Sequence, residues 1–299
     1  MDRNERFSQA GRVIQIGFWV NAVLMAMKLA AGYWGRSEAV LADGLESGAD
    51  FIAMLSSLIA LRIGSRPFDK EHPYGHGKAE SLSALFVSVI IFCGGGWILA
   101  RAIHTIIDAS YETPGWVAPV AAFLTILIKE ALYRYSKDVG TGLGSPAILA
   151  AAADHRKDAI TSVGTLIGVT GACFGWLIMD PLAAAITALL IFHIGYRTFM
   201  HAANELMDGR PDDPCVEAIT RLAEGVAGVE HVHEIRCRRS GQFMIVDLKL
   251  DMDPEMTVRR SHGIATQVKQ LIFESFPGVG DVMIHINPHE EDHQDLIRL

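Results

Sequence analysis

Leu82-Ser-Ala-Leu-Phe-Val-Ser-Val-Ile-Ile-Phe-Cys-Gly-Gly-Gly-Trp-Ile-Leu-Ala100 runs for 19 residues without a charge. A helix needs about 20 mostly apolar residues to cross a bilayer, so this stretch, carried on to Ile107, reads as a membrane span. Five other segments have the same character: Val13–Trp34, Ala39–Ile63, Val117–Tyr135, Ile148–Met179 and Pro181–Ala203. They predict an all-α, six-helix transmembrane bundle over residues 1–209. The composition agrees. Half of the 299 residues are hydrophobic and only 20% are charged, against about 25% in a typical soluble chain. The deficit is local: residues 210–299 hold 10 Lys/Arg and 16 Asp/Glu, in less than half the length that holds the other 16 and 18.

Positive charge alternates between the connections. Arg3, Arg6 and Arg12 precede the first span. Arg62, Arg66, Lys70 and Lys78 follow the second, Arg134, Lys137, Arg156 and Lys157 flank the fourth–fifth turn, and Arg197 and Arg210 bracket the end of the sixth. The other connections are poor in Lys and Arg, which places both termini in the cytoplasm. No cleavable signal pattern precedes the first span. The net charge of −8 excludes a generally basic nucleic-acid binder. Cys93, Cys173, Cys215 and Cys237 form no CxxC pair and read as thiols in a reducing or lipid setting.

Residues 210–288 read as a separate cytoplasmic α+β domain. Cys215–Gly225 is helical, Val232–Arg238 and Phe243–Asp251 alternate as strands, Met256–Phe276 is helical and Asp281–Asn287 is a last strand. The order α-β-β-α-β predicts two helices on a three-stranded sheet. Residues 289–299 read as a charged, disordered tail. His289-Glu-Glu-Asp-His293 matches HExxH formally, but it follows Pro288 and lacks the buried amphipathic helix that a zinc protease needs. There is no P-loop, GxSxG or nucleophile–base set, so an enzyme is not expected.

An ionisable group at membrane depth is costly and is a functional candidate by default. The second span holds Asp43, Glu46 and Asp50; the fifth holds Asp154, His155 and Asp158. Glu46/Asp50 and Asp154/Asp158 are i, i+4 pairs, each on one helical face. Two helices offering two carboxylates each would make a four-oxygen site suited to Mn²⁺ or Fe²⁺. The bare carboxylates repel one another and hold protons, which an entering metal displaces. Either Asp154 or His155 could be the fourth ligand, since His155 is i, i+3 to Asp158. Asp43 is expected to support the site or to mark a helix end. Lys28, Arg101, Lys129 and Glu130 are expected to snorkel or pair near the interfaces.

Several stretches carry a resemblance to the cation diffusion facilitator family: Leu41-Ala-Asp-Gly-Leu-Glu-Ser-Gly-Ala-Asp50, His72-Pro-Tyr-Gly-His-Gly-Lys-Ala-Glu80, Ser145-Pro-Ala, Asp154-His-Arg-Lys-Asp158, Asp180-Pro181 and Glu205-Leu-Met-Asp208. The resemblance covers nearly the whole chain. It implies a homodimeric divalent-cation/proton antiporter with six spans and a metallochaperone-like cytoplasmic domain. Such a protein exports metal from the cytoplasm by alternating access; the compact length, with no added organelle-targeting segment, is read as fitting a bacterial inner membrane. The implied transport ligands are Glu46, Asp50, Asp154 and Asp158. Zinc-handling members usually have a histidine in this set; the acidic set is similar to the manganese branch and some iron-associated members, so the cargo is read as Mn²⁺ or Fe²⁺, with Zn²⁺ as the alternative. Asp69, His72 and His76 resemble the family's cytoplasmic loop metal site. His233, Asp247, His262 and His285 stand where its regulatory metal ligands fall, for one metal per protomer or a site bridging the dimer. Lys78 and Asp208 resemble a family ion pair near the dimer interface. The competing reading is a membrane-embedded metal sensor or scaffold that recruits partners through its cytoplasmic domain.

Overall fold

The computed structural model describes residues 3–211 and 214–289. The tail from 290, with most of the HExxH match, lies outside the described residues. The chain divides into two compact units: residues up to Ser57 with Ala84–Phe199, and Leu58–Ser83 with Met200 onward.

Six helices of 27 to 32 residues make up the N-terminal part: α1 (Arg3–Trp34), α2 (Glu38–Gly64), α3 (Ala79–Ile107), α4 (Val117–Leu143), α5 (Pro146–Cys173) and α6 (Met179–Leu206). Among the described residues, α1, α2, α3 and α6 are long and apolar enough to cross a membrane. The α4 and α5 helices have the length, but their halves around the intervening turn carry Lys129, Glu130 and Arg134, then Asp154, Arg156, Lys157 and Asp158. Large apolar side chains such as Trp19, Val23, Phe86, Ile167 and Leu189 face outward, as lipid-facing helices require.

Short turns set the helix order. The α4 helix ends on Gly144, left-handed at φ 60°, and Pro146 starts α5, where its missing N–H costs nothing. The α5 helix stops six residues before the expected Met179, at the turn where Gly175 takes φ 102°. Ser37 caps α2 by accepting the Val40 N–H at 3.1 Å. Its hydroxyl donates to buried Asp180 on α6 at 2.6 Å, and Asp180 also accepts the Glu38 N–H. Small residues line the helix contacts: Ala42 with Ala184 and Ala188, and Ala118, Ala121 and Ala122 with Val169. Close backbone approach gives dispersion contact where lipid supplies no hydrophobic drive. Gly168 on α5 is a close approach of this kind, because a Cβ there would overlap the Ala183 side chain and sit 3.0 Å from the Met179 carbonyl oxygen.

The second unit contains α7 (Cys215–Glu224), β1 (His231–Ser240), β2 (Phe243–Met252), α8 (Val258–Ser275) and β3 (Val279–Pro288). The sheet order is β1-β2-β3, antiparallel then parallel. The parallel pair needs a crossover, which α8 supplies. Thr257 caps α8 by accepting the Arg260 N–H. Val246, Leu248 and Leu250 on one face of β2 pack with Ile219 of α7 and with Val268 and Ile272 of α8. Asp247 and Lys249 occupy the other face, as strand alternation requires. The Ser65–Lys78 connection lies against the β1–β2 hairpin: a Cβ on Gly77 would strike the Ser240 carbonyl, so only glycine fits.

We expect Gly168→Leu to overpack the α5–α6 contact and destabilise by about 1–3 kcal/mol. It should lower the thermal midpoint in detergent. Gly164→Leu, one turn away in open space, should leave the midpoint nearly unchanged. Equal midpoints for the two variants would contradict the close packing.

Candidate metal centre

Asp50 of α2 and Asp154, His155 and Asp158 of α5 line one cleft of about 400 Å³, together with Lys129 of α4 and Asn21 of α1. Two helices each turn charged residues to the same space. Glu46 lies one turn from Asp50 on α2 and is 7% exposed; its Oε2 is buried with no hydrogen-bond partner. Asp154 is exposed to the cleft, while His155 is buried at its edge, against Gly17, with Nδ1 unpartnered. The cleft thus gathers three of the four expected carboxylates, with the fourth one turn along the same helix.

Two lysines, expected to snorkel or pair near the interfaces, do pair, but as buried groups. Lys28 is 1% exposed and Lys129 2%. Lys28 Nζ donates to Asp43 Oδ1 at 2.9 Å and to Ser47 Oγ at 3.0 Å, and Ser162 Oγ donates to Asp43 Oδ2 at 3.0 Å. Asp43 is therefore not a helix-end residue in water; it is the buried countercharge of Lys28. Lys129 Nζ donates to Asp158 Oδ2 at 2.6 Å and to Asn21 Oδ1 at 2.8 Å. The physical reason is that each ammonium lies within reach of a carboxylate on another helix, which compensates its charge inside the bundle. Arg101 and Glu130 do pair near exposed positions, Arg101 with Glu38 at 3.0 Å and Glu130 with Arg134 and Arg156 at 2.9 and 3.1 Å.

In the loop between α2 and α3, bends and turns replace regular helix, as Pro73 and its neighbouring glycines dictate. Asp69 Oδ1 accepts the backbone N–H of His72 at 2.7 Å and of Glu71 at 2.9 Å, an Asx turn. The His72 backbone N–H, above all, holds the Asp69 carboxyl below the usual carboxylate range. His72 Nδ1 lies 3.2 Å from Oδ1 and His76 Nε2 3.5 Å from Oδ2. One ligand atom from each of the three residues falls within 4.8 Å of the others. Two imidazoles and a carboxylate in that arrangement can bind a divalent ion.

The expected ligands of the cytoplasmic domain are spread over both layers. Asp247 on β2 pairs in register with Arg236 and Met283, and His285 on β3 with Lys249. Both sit on the sheet face away from the helices. His262 is exposed on α8, in the helical layer. His233 Nδ1 is 3.5 Å from Asp251 Oδ2, and His289 Nδ1 approaches the same oxygen at 3.7 Å. Asp251 Oδ1 is buried without a partner. Sequence reading missed Asp251 and His289 because their meeting depends on strand register and not on spacing.

Lys78 and Asp208 do pair: Nζ donates to Oδ1 at 2.5 Å. That bond holds the Asp208 carboxyl below its usual range. The resulting stabilisation is present at neutral pH and disappears as pH falls through the lowered value. Asp208 takes φ 58°, rare for a non-glycine residue. Arg238 of β1 adds a contact at 3.6 Å to Oδ2 and lies over the Tyr74 ring at 5.5 Å. Neither Arg238 nor Tyr74 was a candidate from sequence.

Comparison with known proteins follows this division. The family described as the cation efflux transmembrane domain matches residues 14–207, and the cation efflux protein cytoplasmic domain matches residues 211–289. The manganese efflux system protein MneP of Bacillus subtilis is 34% identical over 97% of this chain and 99% of its own length. MneS of the same organism is 33% identical over 95% and 96%. The magnetosome protein MamB of Magnetospirillum gryphiswaldense is 30% identical over 92% and 93%.

The buried Lys28–Asp43 pair gives a test of the bundle. Lys28→Met alone leaves a buried carboxylate without its cation and should cost about 3–5 kcal/mol. Lys28→Met with Asp43→Leu removes both charges and should recover most of that loss, read as thermal midpoint in detergent. A double variant no better than the single would show that the pair does not matter.

Proposed function

The chain belongs to the cation efflux, or cation diffusion facilitator, family of metal-cation exporters, and from this we propose that it is a secondary antiporter that moves Mn²⁺ or Fe²⁺ out of the cytoplasm in exchange for protons, with Zn²⁺ as the alternative cargo. The observation that carries the reading is the convergence of Asp50, Asp154 and Asp158 from two helices on one cleft. Glu46 completes the set, and His155 is the alternative to Asp154. Oxygen donors favour the harder divalent ions. The full names of two relatives, which speak of manganese efflux, point the same way.

The coupling follows from electrostatics. Carboxylates crowded in a poorly solvated cleft cannot all stay ionised, so the metal-free site takes up protons. A dication on the site expels them. Alternating access then turns this competition into exchange: metal leaves on the side where protons are plentiful.

Asp69, His72 and His76 form a second, cytoplasmic metal site in this reading. Since Asp247 and His285 share the sheet face that His262 does not, a site using all of them spans two copies of the chain, which fits a homodimer. All six helices cross the bilayer with both termini in the cytoplasm, in a bacterial inner membrane. The protein is a transporter and not an enzyme.

Asp50→Ala or Asp158→Ala should abolish metal uptake driven by a pH gradient into inverted vesicles, while the protein level in the membrane stays unchanged. Undiminished uptake in both would refute the site. A competition flux assay in proteoliposomes with Mn²⁺, Fe²⁺, Zn²⁺, Co²⁺ and Cd²⁺ should give the highest rate with Mn²⁺ or Fe²⁺. A clear preference for Zn²⁺ would overturn the assignment of cargo.

A further inference from the structure

We propose that Lys129 is a tethered cation that competes with the cargo for Asp158, and that Asn21 is the seat it keeps when the metal is bound. The inference rests on the transport site proposed above and adds a positioning residue on a third helix. Lys129 Nζ bonds Asp158 Oδ2 at 2.6 Å and Asn21 Oδ1 at 2.8 Å, and all three residues line the same cleft. An ammonium has three N–H donors, so these two bonds are made together. Asp158 is the only one of the three cleft carboxylates for which a lysine bond is seen among the described residues.

A divalent ion ligated by Asp158 would face this ammonium across one carboxylate. Like charges that close, in a poorly solvated bundle, repel strongly. Metal and ammonium therefore exclude one another from Asp158. Lysine does not have to lose its proton to yield. Its four-carbon stem lets the tip pivot, and the carbonyl oxygen of Asn21 remains as an uncharged acceptor.

The other buried pair shows the contrast. Lys28 and Asp43 are sealed by Ser47 and Ser162, and neither lines the cleft. That pair is built to stay closed. Lys129–Asp158 opens onto the space where the cargo passes.

The consequence is a limit on affinity. When the metal departs, Lys129 returns to Asp158 and cancels one of the negative charges that would pull the ion back. Binding is weakened and release is made easier. Removing the ammonium should thus tighten binding and slow turnover together, a KM-against-kcat split that mere loss of packing would not produce.

The test is flux in proteoliposomes of the full chain, using the ion with the highest rate in the competition assay. Lys129→Gln keeps a polar tip without charge; it should lower KM about five- to tenfold, the scale of a typical coupling between two sites, and lower kcat. Lys129→Arg keeps the charge and should leave KM near the parent value. Asn21→Ala removes the alternative seat and should raise KM. An unchanged or raised KM in Lys129→Gln overturns the proposal, as does an Arg variant that behaves like the Gln variant. If Lys129→Gln does not fold, Asn21→Ala decides: a KM that is unchanged or lower overturns the proposal. Undiminished flux in Asp158→Asn would instead overturn the transport site itself, whatever the lysine variants do.

Discussion

A carboxylate inside a helix bundle that faces hydrocarbon has to be compensated, because the low dielectric makes an isolated charge expensive. That constraint orders the N-terminal helices. Asp43 is met by Lys28 and Ser162, Asp158 by Lys129, and Asp180 by the Ser37 hydroxyl and the Glu38 N–H. Each of these contacts joins two helices, so satisfying a charge also fixes a packing arrangement. Asp50 and Asp154 face the cleft, and one oxygen of Glu46 is buried with nothing to bond. In the proposed transport cycle these groups, together with Asp158 once Lys129 releases it, are the ones a dication or a proton uses.

Most of the fold was legible in the sequence because hydropathy and strand alternation are local. The six long helices and the α-β-β-α-β order come directly from apolar runs and period-2 patterns. The helix ends were less exact: α4 runs on to Leu143 and α5 stops at Cys173, where glycine conformations decide and hydropathy does not. For Lys28 and Lys129 the sequence left two alternatives open. A lysine in an apolar run can snorkel or be buried with a partner, and only the three-dimensional position of the partner helix tells which. Asp43 and Asp158 are 15 and 29 residues away from those lysines. The Asp251 contacts depend in the same way on the pairing of β2 with its neighbours. By contrast, the Lys78–Asp208 pair that the family resemblance implies is present.

The second unit shows how a loop can be given a fixed shape without regular structure. Asp69 closes a turn on the N–H groups of Glu71 and His72. Gly77 lets the loop backbone reach Ser240. Tyr74 lies beneath Arg238, and Asp208 holds Lys78 and Arg238 at once. Each contact is weak if taken as a surface pair, worth under about 1 kcal/mol. Their value is geometric: together they limit the loop's freedom, so that two histidines and an aspartate, the candidate ligands, lie near one another. Ordering a ligand set in advance lowers the entropy that binding has to overcome.

The two candidate sites also differ in the chemistry they offer. The cleft presents carboxylate oxygens, with one imidazole at its edge. The loop presents two imidazoles and one carboxylate. Imidazole suits zinc and the later transition ions, whereas oxygen suits manganese and its neighbours, and raw affinity for a mixed site rises along the series toward copper. A cleft made mainly of oxygen does not escape that order, but it flattens it. In the proposed cycle the ammonium of Lys129 acts on release, by occupying Asp158 whenever the ion does not.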